Sequence, residues 1–380
     1  MIPLSEPNLT GREASYLQEC IDSGFVSSVG PFVRQFEEHV STVTESTSAV
    51  AVSSGTSGLH LSLVVAGVLP GDLVVIPSFT FIATANAIAQ CGADPWLFDI
   101  DVESWTLNPD QVKEQLSSQC RRADGGLVLK RTGQRIAAIV PVYTLGLPAN
   151  MDPLADIAKR FGIPLVADAA AAMGAKYQGR GIGDLADLSV ASFNGNKTIT
   201  CGGGGAVFGT DDAVLMRALH LSTTARTGPG YSHDAAGFNY RMTNLQAAVG
   251  CAQYERLNDF LQRKAQIRSA YRNLSDSVPG VGSFPNPPWA QSTNWLSGLL
   301  LRKSDHTEEL LNYLNTKGIG VRSFWKPVHL QKPYEKCPRV DLTVTEHIWK
   351  RILTLPSSSG LSDRDLHYVL KTCEVALQID

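Results

Sequence analysis

The chain has 380 residues, enough for two hydrophobic cores, and its 43% hydrophobic content excludes wholesale disorder. A formal net charge of -3, with no block of like charge, argues against nucleic acid or an acidic membrane surface as a partner. The opening MIPLSEPNLTGREA has no signal-peptide pattern, apolar runs such as Leu61–Leu69 are too short to span a bilayer, and the seven dispersed cysteines form no CxxC pair, so a cytoplasmic protein without disulfides or zinc is expected.

Thr10 followed by Glu13 predicts a capping box for a first helix, on which Tyr16, Leu17, Cys20 and Ile21 recur at helical spacing and which Gly24 ends. A loop at 25–33, FVSSVGPFV, leads into a second helix. From Ala49 short apolar strands are predicted at Val50–Val52, Leu73–Ile76, Trp96–Asp99, Ile136–Val142, Pro164–Ala167, Leu188–Ser192 and Ala206–Phe208. Helices fall between several of them, at Leu59–Val65, Ala83–Gln90, Asp110–Leu116 and Leu154–Arg160. The strands are continuous apolar runs, which suits burial on both faces, and their alternation with helices predicts an α/β fold with a mostly parallel sheet. After about residue 240 one long helix is predicted from Thr243 to Val278, then a Pro-rich loop at 284–289 and a last helix capped by Ser362 and Asp365. A large domain over 1–250 and a smaller C-terminal α+β domain over 251–380 follow from that change of texture.

Three segments carry chemistry. Ser53–Gly58, SSGTSG, follows a strand and opens a helix, where a glycine lets backbone approach an anion, the helix-start amides point at it, and Thr56 and Ser57 can add hydroxyls. A tight strand-to-helix turn asks for similar residues. Asp168, in VADAAAA, ends an apolar strand, and a carboxylate in that setting needs a cation such as a protonated ring nitrogen. An N-cap explains it equally well. Lys197, in SFNGNK, sits past a strand and beside the glycines 202–205, which leave room for a flat cofactor; a surface loop lysine is the ordinary alternative. That glycine run lacks the GxGxxG spacing and precedes a strand, so it is not a dinucleotide fingerprint. A phosphate cradle, a carboxylate for a ring nitrogen and a loop lysine, in one α/β domain, are together what pyridoxal phosphate requires.

Over nearly its whole length the chain resembles the DegT/StrS family of sugar aminotransferases, on the type I aspartate-aminotransferase fold. The resemblance is carried by SSGTSGLHLSL, GDLVVIPSFTFIATANAI, AAIVPVYTLGLPANMDPL, the stretch from VADAAAAMG to SFNGNKTITCGGGGAV, and GFNYRMTNLQAAVGCAQ. It implies that Lys197 bonds the cofactor aldehyde, that Asp168 pairs with the ring nitrogen, and that Gly55, Thr56, Ser57 and Ser192 hold the phosphate. It further implies that Phe81 stacks on the ring (a core phenylalanine being the alternative) and that Asn239 reaches the cofactor of a neighbouring subunit in a homodimer with shared sites. Many members carry Gln or His where this chain has Ala171, which resembles a subgroup with SFNGNK and FVSSVG. That subgroup acts on UDP-linked 4-keto-6-deoxy-2-acetamido sugars on routes to bacillosamine and legionaminic-type surface sugars. The loop of Ser27 and Ser28, and the segment of Arg322, Trp325, Lys326 and His329, resemble the family's sugar-facing loops; surface ion pairs and core packing are their alternatives. The expected reaction moves an amino group from L-glutamate to a nucleotide-linked keto sugar by a ping-pong scheme. Two rivals are a sugar dehydratase, in which histidine replaces the lysine, and a non-catalytic sugar-binding regulator.

Overall fold

A computed structural model describes residues 1–377. Seven strands form the central layer: β1 (Ser48–Val52), β2 (Leu73–Pro77), β3 (Asp94–Phe98), β4 (Ile136–Ile139), β5 (Val166–Asp168), β6 (Leu188–Ser192) and β7 (Gly205–Gly209). Their order across the layer is β1-β7-β6-β5-β4-β2-β3, with β4 and β5 joined by the bridges Ile139–Leu165 and Val142–Asp168. Strand β7 pairs antiparallel with both neighbours, and every other pair is parallel. The mostly parallel sheet therefore holds, with one reversed strand.

Each apolar run splits by alternation between two cores. On one face Val50, Val52, Val74, Ile76, Leu97, Val190 and Val207 pack on α3 (Gly55–Val65), α4 (Ile82–Gln90) and α7 (Asp212–Ser222). On the other, Leu73, Val75, Trp96, Phe98, Ala191 and Phe208 pack on α1 (Glu13–Ser23), α2 (Pro31–Thr44), α5 (Pro109–Gln119), α6 (Met151–Phe161) and α8 (Asn244–Tyr254). Burial of each large side chain contributes roughly 1.5–3 kcal/mol. A smaller antiparallel sheet, in the order β8 (Gly282–Ser283), β9 (Ser297–Leu300), β11 (Ile352–Leu355), β10 (Arg322–Ser323), packs on α9 (Leu257–Ser277), α10 (Ser304–Thr316) and α11 (Asp363–Leu377) around Tyr271, Leu299, Leu353 and Val369. Ser362 caps α11 as expected, its hydroxyl accepting from the Asp365 amide at 3.0 Å.

Two local expectations give way to long-range contacts. The Thr10–Glu13 capping box does not form: Glu13 is buried and accepts from Gln253 Nε2 at 2.6 Å, while the Thr10 hydroxyl donates to Asn8. The single helix expected from Thr243 to Val278 is two, broken at Arg256, whose φ/ψ of -117/7 leaves the helical region. There Arg256 donates to Asn8 and Thr10, and Tyr16 donates to Glu255, so the N-terminal segment takes the side chains that flank the break. The first half, α8, begins with a capping box between Thr243 and Gln246.

Helix α8 lies tight against α2. A Cβ on Gly250 would sit 2.5 Å from the Phe36 ring and 2.6 Å from Cys201 Sγ. Gly250→Ala is expected to destabilise the protein by about 1–3 kcal/mol through overpacking. A urea titration with a lowered midpoint and unchanged slope checks this; an unchanged midpoint would mean the two helices part at little cost.

Candidate active site

The carboxyl ends of parallel strands open onto a cavity of about 570 Å³ between the two sheets. Strand β5 delivers Asp168 there, buried, with Thr84 Oγ1 donating to Oδ2 at 2.7 Å and the Ala170 amide to Oδ1 at 3.1 Å. Burial raises its pKa, against the Thr84 hydroxyl, the Ala170 amide and the charge of Lys197, which lower it. The aspartate is thus not a simple N-cap; it is a carboxylate held in a dry wall.

After β6 the chain turns through 193–201. Phe193, fully buried against Phe36, anchors the turn, and the Lys197 amide donates to Asn194 O at 3.0 Å. Lys197 is only partly exposed, on the cavity rather than on the outer surface. Burial lowers its pKa to about 8, with Asp168 opposing that shift. Its Nζ lies 3.9 Å from the centre of the Trp295 ring.

Helix α3 begins at the same cavity. Ser54 is its N-cap and Ser57 closes a capping box with it, each side chain meeting the other's backbone amide at 3.0 Å. Ser53, Ser54, Gly55 and Thr56 line the cavity, whereas Ser57 faces the cap. Gly55 is required for close approach: a Cβ there would lie 2.8 Å from Ser192 Cβ. Ser192, Gly203 and Gly204 complete this end. First-turn amides have no partner inside a helix, and the dipole favours an anion in front of them.

The remaining expected residues divide. Phe81 is 54% exposed at the start of α4 and faces the cavity, so it is not core. Trp325, half-buried and stacked on Phe324, lines the cavity 6.0 Å from Phe81, and Arg322 lines it from β10. Ala171 also lines it and leaves no side-chain hydrogen bond at that point of the wall. Ser27, Ser28, Asn239 and Lys326 are exposed and lie off the cavity of this chain. His329 lies off it as well: it is buried, 2.7 Å from Ser78 Oγ and 3.3 Å from Glu346, where it ties the 328–330 turn to the end of β2.

Several residues on the cavity or touching Asp168 behind it carry no signal in the sequence. Thr84 is one turn into α4, and Trp295 and Thr354 come from the second half of the chain. Tyr143, buried with an unpartnered hydroxyl, sits just past β4, where the rule that ligands gather at strand carboxyl ends points.

The residues present fit pyridoxal phosphate. The cradle at α3 and Ser192 suits its phosphate, Asp168 its ring nitrogen and Lys197 its aldehyde, while the Tyr143 hydroxyl is a buried donor in want of an acceptor. Fold and site define a pyridoxal-phosphate-dependent aminotransferase.

The chain belongs to the DegT/DnrJ/EryC1/StrS aminotransferase family, whose model matches residues 7–374. It is similar to the GDP-perosamine synthase of Escherichia coli O157:H7, 34% identical over 98% of this chain and 97% of that protein. The GDP-perosamine synthase of Vibrio cholerae is likewise 34% identical, over 96% of this chain and 95% of that one. Among solved structures, the aminotransferase TlmJ from Streptoalloteichus hindustanus superposes with a TM-score of 0.89 at 28% identity, covering 100% of this chain and 99% of its own. The chain is therefore a nucleotide-sugar aminotransferase. No helix among the described residues is long and apolar enough to cross a membrane.

Proposed function

We propose that this enzyme moves the amino group of L-glutamate to C4 of a GDP-linked 4-keto-6-deoxy sugar, with Lys197 as the amine that bonds the cofactor. The observation that carries the residue assignment is the meeting of Lys197, Asp168 and the first turn of α3 on one cavity. The UDP-linked 2-acetamido sugar expected from the sequence gives way to a GDP-linked one, because similar relatives are named GDP-perosamine synthase.

Pyridoxal phosphate, when bound, supplies an aldehyde carbon for the amino group and a ring that accepts electrons. Asp168 holds a proton on the ring nitrogen. Lys197, with its pKa brought down to about 8, would take the proton from the donor's α-carbon and, with the sugar, would return a proton to C4. Arg322 neutralises phosphate oxygens of the substrate at the cavity mouth, and Phe81 and Trp325 wall off flat groups from water.

The chain divides near residue 250 into a cofactor domain and a smaller C-terminal domain that closes the cavity. A second copy covers the exposed Phe25, Val26 and Val29 and receives Asn239, which finds no use on its own cavity. Sedimentation as a monomer at micromolar concentration would exclude that arrangement.

The test is an absorbance titration of the holoenzyme. Its cofactor band is expected to bleach with L-glutamate and to return with GDP-4-keto-6-deoxymannose. Return only with a UDP-linked 4-keto sugar would overturn the nucleotide; no return with either would overturn the sugar class.

A further inference from the structure

Lys197 has a neighbour that the chemistry above does not use. Trp295, 4% exposed, presents its ring face to Nζ at 3.9 Å. Its indole Nε1 donates at 2.6 Å to the carbonyl of Asn196, the residue before Lys197, so ring and lysine are tied to the same loop. The Trp295 carbonyl accepts at 3.0 Å from Lys264 Nζ. Lys264, on α9, is 3% exposed, and its other hydrogen bond goes to Ser357 O at 2.7 Å. Among the described residues no carboxylate hydrogen-bonds it; burial lowers its pKa to about 7, and the amine is directed at two backbone carbonyls. Those carbonyls flank β9 and β11, the strands that carry the cavity's second wall.

We propose that the Trp295 ring is the seat of the Lys197 ammonium whenever that amine is free of the cofactor, and that Lys264 is the positioning residue that fixes the ring there. A tryptophan face attracts a desolvated cation. Burial pushes Lys197 toward the neutral amine, while the ring and Asp168 retain the ammonium in reach. The other charged or titratable groups on this cavity are Asp168 at the end of β5, Tyr143 past β4 and Arg322 on β10. The ring face lies 3.9 Å from Nζ and holds the cation without adding a charge. A lysine freed in each half-reaction would therefore park in one place, on the Trp295 face. That consequence rests on the assignment of Lys197 made above; the contact itself does not.

The test uses the cofactor-free full chain, so it reads the contact and not catalysis. Lys197 is acylated with acetic anhydride across pH and its peptide quantified by mass spectrometry. The wild-type midpoint is expected near 8. Trp295→Leu is expected to move it about one pH unit lower, Trp295→Phe to leave it near wild type because a ring face remains, and Lys264→Met to move it in the same direction as Trp295→Leu. Fluorinated tryptophan, which weakens the ring's negative face at nearly constant shape, should lower the midpoint stepwise and covers the case in which Trp295→Leu fails to fold. A midpoint indifferent to fluorination, or equal in Trp295→Leu and wild type, overturns the proposal. If the glutamate half-reaction fails while these shifts appear, the functional reading falls and the contact stands.

Discussion

Lys197→Ala is expected to lower kcat by at least about 10⁴-fold, because it removes both the amine that bonds the cofactor and the group that moves the proton. Binding of pyridoxal phosphate should persist in weakened form, since the α3 turn, Ser192 and Asp168 are untouched. Lys197→Arg should not rescue activity: it restores the cation and can stack on the Trp295 ring, but its guanidinium stays protonated, so it neither attacks the aldehyde nor takes a proton. The same residue sets a pH dependence. Only the neutral amine attacks an aldehyde, and burial lowers the pKa of Lys197 to about 8. Capture of pyridoxal phosphate by the cofactor-free chain should therefore rise with pH up to that value and level off above it. Stopped-flow absorbance measures both effects. A Lys197→Ala protein that still turned over within tenfold of wild type would remove Lys197 from the mechanism.

Asp168→Asn should cost about 10²–10³-fold in kcat, the loss typical of one fixed electrostatic partner in a dry site. The amide keeps the shape and can still accept from Thr84, but it carries no charge to hold a proton on the ring nitrogen. Thr84→Val acts on the same group more gently. It removes the hydroxyl that donates to Oδ2 at 2.7 Å, and that hydroxyl lowers the Asp168 pKa against the raising effect of burial. Without it the carboxyl is pushed further up, so the acidic limb of the pH–rate profile should shift to higher pH while the plateau changes little. Steady-state profiles of the three proteins separate these cases; an Asp168→Asn enzyme at wild-type rate would leave the ring nitrogen without a role.

Much of this molecule is written in short stretches of chain. A continuous apolar run that alternates between two cores, as in Val74–Ile76, makes a buried strand whatever follows it, because side chains two apart share a face. Asp168 at a strand's end, SSGTSG at a helix start and Lys197 beside glycines are likewise local patterns, and the fold gathers them at one edge of the sheet since parallel strands end together.

Other features come only from contacts between distant residues. No glycine or proline lies at the break in 243–278, Gly250 staying inside α8; the break at Arg256 goes with Asn8, Thr10 and Tyr16, which take the side chains of Arg256 and Glu255. Ser57 has the composition of a phosphate ligand but spends its hydroxyl on the Ser54 cap. His329 lies in a segment expected to face the sugar, yet it is buried with its ring nitrogen 2.7 Å from the Ser78 hydroxyl, a partner that a buried imidazole requires. Trp295 and Lys264 have no motif at all. Their place beside Lys197 depends on the small sheet docking over the large one, and a burial energy summed over two packed layers has no signature in any single stretch of sequence.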